Sequence, residues 1–107
     1  MQERARIAAH VCGTLLRRGI HAWSPIVHNH ALVRDFSFTL EERRSLMLPF
    51  DFTLLRKSKG MIVLTIPGWK ESYGVNAEIE LCSREKIPVV YVNPDELHKL
   101  GAEISLP

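Results

Sequence analysis

The sequence predicts an α/β domain in which a small parallel sheet is covered by helices on both faces, and three observations predict it. Residues 61–67 read MIVLTIP, a near-continuous apolar run after Gly60, the pattern of a strand buried on both faces and placed at the centre of its sheet. VVYVN at 89–93 is another short β-branched run. Between and around these runs lie stretches with apolar residues three and four apart, the spacing of amphipathic helices. Strands that alternate with helices over short connections are joined by crossovers, so they run parallel. At 107 residues the chain suits one domain, 1–107, with one core.

In chain order, residues 3–18 carry Ile7, Val11 and Leu15 with Ala8, Cys12 and Leu16, which predicts a helix that Gly19 ends. Residues 21–27 are short, β-branched and aromatic and run into a polar His-Asn-His segment, which predicts a first strand followed by a loop. Thr39 with Glu42 three residues later is a capping-box start, and the helix it opens is expected to be disturbed at Pro49, which can itself open a segment through Lys57. Gly60 and MIVLTIP follow. Ser72 then caps a predicted helix over 72–86 with Val75, Ile79 and Cys82 on one face, and Pro88 breaks it. The third strand, 89–93, leads into a short helix from Pro94 that ends by Gly101. The chain thus opens on a helix rather than on a strand.

Composition narrows the classes of function. The chain is 46% hydrophobic and 24% charged, which is globular, and its 14 Lys and Arg against 12 Asp and Glu leave a net charge of +2. So small an excess lacks the electrostatic footprint of a nucleic-acid polymer binder. The longest apolar runs are far shorter than the roughly 18 residues of a membrane span, so no membrane partner is expected. His10 interrupts the N-terminal apolar stretch and Arg17-Arg18 closes it, which argues against a secretory signal and for a cytoplasmic protein. Cys12 and Cys82 lie far apart without a CxxC or Cys/His spacing and read as buried free thiols.

In open α/β sheets, ligands sit beyond the carboxyl ends of the strands. The connection after the central run, PGWKESYGVNAEIE, places Gly68, Trp69, Ser72 and Gly74 at a helix start, where backbone N–H groups and a serine hydroxyl suit a phosphate. An ordinary strand-to-helix turn has the same composition, and neither a Walker nor a GxGxxG pattern is present. At about 100° per residue, Glu78 lies roughly 60° from Val75 on the margin of the apolar face, while Glu80 points to solvent. Glu78 is therefore a candidate base or nucleophile, or else a surface glutamate whose stem covers apolar neighbours. Asp51, within the apolar stretch PFDFTLL, is a second candidate, or else a carboxylate favoured by a helix N-terminus. Two carboxylates converging from adjoining helices suit acid and nucleophile roles at a glycosidic bond. His28 and His30 lack a third ligand at fixed spacing, so no metal site is expected.

SPIVHNH, the segment around Asp51, and GWKESYGVNAEIE followed by IPVVYV together resemble a DUF1937-like family of unknown function, bacterial and phage, within the nucleoside 2-deoxyribosyltransferase superfamily. The most specific part is GW-x-x-S-x-G-V-x-x-E, and the resemblance spans the chain from the first helix to the third strand. It implies a flavodoxin-like, Rossmann-like three-layer αβα sandwich, here without the superfamily's usual first strand and so N-terminally shortened. It places the superfamily's nucleophilic glutamate on Glu78, the aspartate that assists at the nucleobase on Asp51, and the serine that binds a 5′-phosphate on Ser72. Trp69, Gly74, Asn76, His28 and His30 become candidates for substrate contact. The implied activity is N-glycosidic hydrolysis or deoxyribosyl transfer on a nucleoside or nucleoside 5′-monophosphate, with no cofactor; the alternative is a non-catalytic nucleotide-binding or assembly module. A sheet without its first strand leaves an edge for another chain, so a homo-oligomer is expected.

Overall fold

A computed structural model of the chain describes residues 2–96, which fall into two compact units divided between Met47 and Leu48. The first unit is helical. Helix α1, Gln2–Arg17, buries Ala5, Ala8, Val11 and Leu15, four residues at three-to-four spacing that form one stripe. Leu16 is 62% exposed, so the buried stripe is centred to one side of the expected one. Gly19, at φ 81, ends the helix: its N–H bonds the Leu16 carbonyl and the Ile20 N–H reaches back to Leu15. That left-handed position is the reason for a glycine there.

The strand expected over 21–27 is absent, and so is the loop expected at His-Asn-His. Helix α2, Pro25–Asp35, occupies this stretch and packs along α1. Ser24 has an extended backbone, its hydroxyl accepts the Val27 N–H, and Pro25 takes the first helical position, where its missing N–H costs nothing. The short apolar run that reads as a strand fits a helix start equally well, and the cap decides. None of the α2 residues is buried.

Thr39 forms the expected capping box. Its hydroxyl accepts the Glu42 N–H at 3.0 Å, and the Glu42 carboxylate accepts the Thr39 N–H at 2.9 Å. Helix α3 is short, Leu40–Glu42, and passes into a π-helical stretch, Arg43–Met47. The disturbance expected at Pro49 is thus taken up before it. A proline ring crowds the carbonyl four residues back, here Ser45, and the wider π turn relieves that clash.

The second unit contains helix α4 (Leu48–Arg56), strand β1 (Met61–Leu64), helix α5 (Tyr73–Glu85) and strand β2 (Val89–Val92). The strands pair in parallel with Met61 opposite Val89 and Leu64 opposite Val92, as the crossover argument requires. Three strands were expected, with 61–67 central; among the described residues the sheet has two, and β1 has β2 as its one neighbour. Accordingly Val63 is buried while Met61, Ile62 and Leu64 are half-buried. Leu55 of α4 with Leu81 and Cys82 of α5 form the unit's core, and Phe52, Met61, Ile87 and Val89 pack against it, so both helices cover the Met61–Val89 face of the sheet.

Helix α5 ends in a left-handed residue, Lys86 at φ 58, with the Ile87 N–H bonding the Cys82 carbonyl. Residues 94–96 form a single 3-10 turn; the remainder of the helix expected to Gly101 lies outside the described residues. Both cysteines are free thiols, Cys82 buried and Cys12 half-buried.

Candidate active site

The connection from β1 to α5 is built from tight local bonds. Gly68, at φ 89, turns the chain after Pro67, and a 3-10 turn, Trp69–Glu71, leads to Ser72. Ser72 caps α5, its hydroxyl accepting the Val75 N–H at 3.3 Å. Asn76, one turn into the helix, donates both side-chain hydrogens backwards, to the Lys70 carbonyl at 2.8 Å and the Ser72 carbonyl at 2.9 Å. Its amide nitrogen is therefore engaged in holding the turn. At Gly74 an added Cβ would meet nothing within 4 Å, so packing does not require a glycine there.

One turn further along α5, Glu78 is part-buried and Glu80 is exposed. Helix geometry separates them in this way, because two residues along an α-helix point to nearly opposite sides. On α4, Asp51 is only 5% exposed, an unusual position for a carboxylate. The contact between α4 and α5 brings the two acids together. Leu55, one turn beyond Asp51, packs with Leu81 and Cys82, one turn beyond Glu78. At the far end Arg56 bonds Glu85 at 2.8 Å, which keeps the helices in step.

Burial pushes the Glu78 carboxyl up to about 7, with the negative charge of Asp51 as the second cause. Glu78 in turn helps to raise the Cys82 thiol, after burial and ahead of Glu85. A carboxyl that changes charge near neutrality beside a buried aspartate can hold or release a proton at working pH, or act as a nucleophile once ionised.

The remaining sequence candidates distribute as follows. Trp69 and Ser72 lie in the β1–α5 connection, and Gly74 and Asn76 in the first turn of α5. His28 and His30 stand on α2 in the first unit rather than in a loop beyond a strand; His28 is exposed, its Nδ1 at 3.1 Å from the Asn29 side-chain oxygen. Among the described residues no group of three His, Cys, Asp or Glu is placed to hold a metal ion, and no helix is long and apolar enough to cross a membrane.

Tyr91 and Lys70 escaped the sequence reading. The Trp69 and Tyr91 rings lie 5.5 Å apart and tilted, and the Lys70 ammonium sits over the Trp69 ring at 5.6 Å. Alternation from Val89 puts Tyr91 on the core side of its strand, so no local signal marked it as an exposed ring.

The second unit is thus a βαβ element with a carboxylate pair on its helices, Asp51 buried and Glu78 part-buried. Over residues 1–93 the chain matches the family described as Domain of unknown function (DUF1937), and it belongs to that family. No curated protein and no solved structure matches it.

Proposed function

We propose that the protein cleaves or transfers an N-glycosidic bond of a nucleoside or nucleoside 5′-monophosphate, on a fold related to the nucleoside 2-deoxyribosyltransferases. The observation that carries the reading is the pair itself: Glu78, raised to about 7 by burial and by Asp51, with Asp51 buried on the adjoining helix. Such a pair is costly to maintain and suits a reaction that needs one nucleophilic and one proton-bearing carboxyl. The ionised Glu78 attacks the anomeric carbon. A bond forms from its carboxylate oxygen to that carbon as the carbon–nitrogen bond breaks, and the electron pair passes to the base. Asp51 orients the base and delivers the proton that the pair holds near neutrality. Water then hydrolyses the glycosyl ester and restores Glu78, or a second base accepts the sugar. Ser72 and the start of α5 receive the 5′-phosphate when one is present, and Gly74 lets the ligand approach the backbone.

The test is product analysis after incubation with a panel of nucleosides and monophosphates. Free base should appear with the native chain, vanish with Glu78→Ala and persist within a few-fold with Glu80→Ala. Base release by a folded Glu78→Ala variant sinks the assignment. The reacting form shares one proton, with Glu78 ionised and the proton on Asp51, so kcat/KM should fall as pH rises through about 7, where the pair loses that proton. With this reading goes self-association: each strand's outer edge has no neighbouring strand among the described residues, and a second copy can cover it. Light scattering that shows a strict monomer at micromolar concentration removes that part.

A further inference from the structure

Helices α4 and α5 meet along matched stripes. On α5, Glu78, Cys82 and Glu85 stand four and then three residues apart, so they share one face, with Leu81 beside them. On α4, Asp51 and Leu55 stand four apart and Arg56 closes the helix. Leu55 packs with Leu81 and Cys82 in the middle of this contact. At one end the charge of Asp51 acts on Glu78, and at the other the Arg56 Nε donates to a Glu85 carboxylate oxygen at 2.8 Å. The three contacts differ in kind. Apolar packing is non-directional and lets one helix slide or roll on the other. Two carboxylates repel when both are ionised, which works to part the helices where the acids sit. The Arg56–Glu85 bond is attractive and directional, and it joins the last residue of α4 to the last residue of α5. With its side chains 49% and 39% exposed it adds little to stability as an ion pair, but it lies on the same stripes as the acids.

We propose that Arg56 and Glu85 are positioning residues for the carboxylate pair: their bond fixes the register of α4 on α5 that holds Asp51 beside Glu78. They touch no substrate and act through the two acids. This rests on the reading of the pair as the reacting site, and deepens it.

Carbon-13 NMR of the side-chain carboxyl groups of the full chain tests it, with the Glu78 signal assigned by its loss in Glu78→Gln. In the native chain Glu78 should titrate near about 7. Arg56→Gln has two opposite consequences for that midpoint. Loss of a nearby positive charge, by itself, disfavours the ionised carboxyl and raises it; loss of register takes Asp51 away, admits water and lowers it. The expected result is a fall of about 0.5 of a pH unit or more. Glu85→Gln breaks the same bond from the other side and should also lower the midpoint, which serves if Arg56→Gln folds poorly. The exchanged pair, Arg56→Glu with Glu85→Arg, re-forms an attractive contact and should restore the native value. A rise or no change with Arg56→Gln, no recovery in the exchanged pair, or a native midpoint near the ordinary 4.5 overturns the proposal. The titration needs no turnover. Base release by the native chain with an unmoved midpoint in Arg56→Gln leaves the glycosidic reading intact and removes this one. The expected shifts in a chain that releases no base do the reverse.

Discussion

Glu78→Gln should change the pH dependence of stability, because the folded chain holds this carboxyl in a setting that disfavours its charge. The pKa is about 7 in the fold against an ordinary 4.5, with burial the larger cause and Asp51 the second. Unfolded, the group ionises near the lower value; folded, it keeps its proton to the higher one. The stabilising preference is therefore complete below about 4.5 and is lost as pH rises through about 7. At about 1.4 kcal/mol for each tenfold, the difference corresponds to an upper bound of roughly 3 kcal/mol, which partial exposure of the side chain reduces. Glutamine keeps the shape and removes the charge. Urea unfolding of native and Glu78→Gln chains at several values between pH 4 and 8 is the assay, since midpoint and slope together give stability. The two should be close in stability at the acid end. At the alkaline end the glutamine variant should be the more stable by an amount up to that bound. Parallel pH profiles for the two chains, or a glutamine variant that is less stable above pH 7, would refute the reasoning. Asp51→Asn should flatten the profile only in part, because desolvation remains.

Three further expectations concern the scaffold and the proposed ligand. Leu81 is fully buried between α4 and the sheet, so Leu81→Ala should cost about 2–5 kcal/mol in the same urea assay. Lys86 stands at φ 58, so Lys86→Gly should raise stability by up to ~1 kcal/mol, the relief of left-handed strain less the added freedom of the unfolded chain. Ser72→Ala removes the α5 cap, which should cost ~1 kcal/mol of stability, and should weaken binding of a nucleoside monophosphate more than that of the nucleoside in calorimetry.

Local signals made much of the second unit legible. The run MIVL and the β-branched VVYV gave two strands, the intervening helix forced them parallel, and Ser72 marked the start of that helix. The separation of Glu78 from Glu80 needed only the helical angle. In the first unit, the box formed by Thr39 and Glu42 and the stop at Gly19 were equally readable, because caps involve neighbours a few residues apart. The stretch at 21–27 was misread because its few apolar residues satisfy two periods, and the decisive bond, from the Val27 N–H to Ser24, belongs to a helix start. Sequence spacing alone could not choose between them.

What the sequence by itself determined about this protein is the order and kind of most elements, and the residue types along the β1–α5 connection. Tertiary structure decided the rest. It put Asp51 beside Glu78 through the packing of Leu55 on Leu81 and Cys82, exposed Leu16, limited the described sheet to two strands, and set Tyr91 against Trp69. The physical reason is one of range. Backbone dihedrals and caps act over a few residues, whereas the shift of a carboxyl to about 7 depends on which charge and how much apolar surface are brought near it by a helix twenty-seven residues away in the chain.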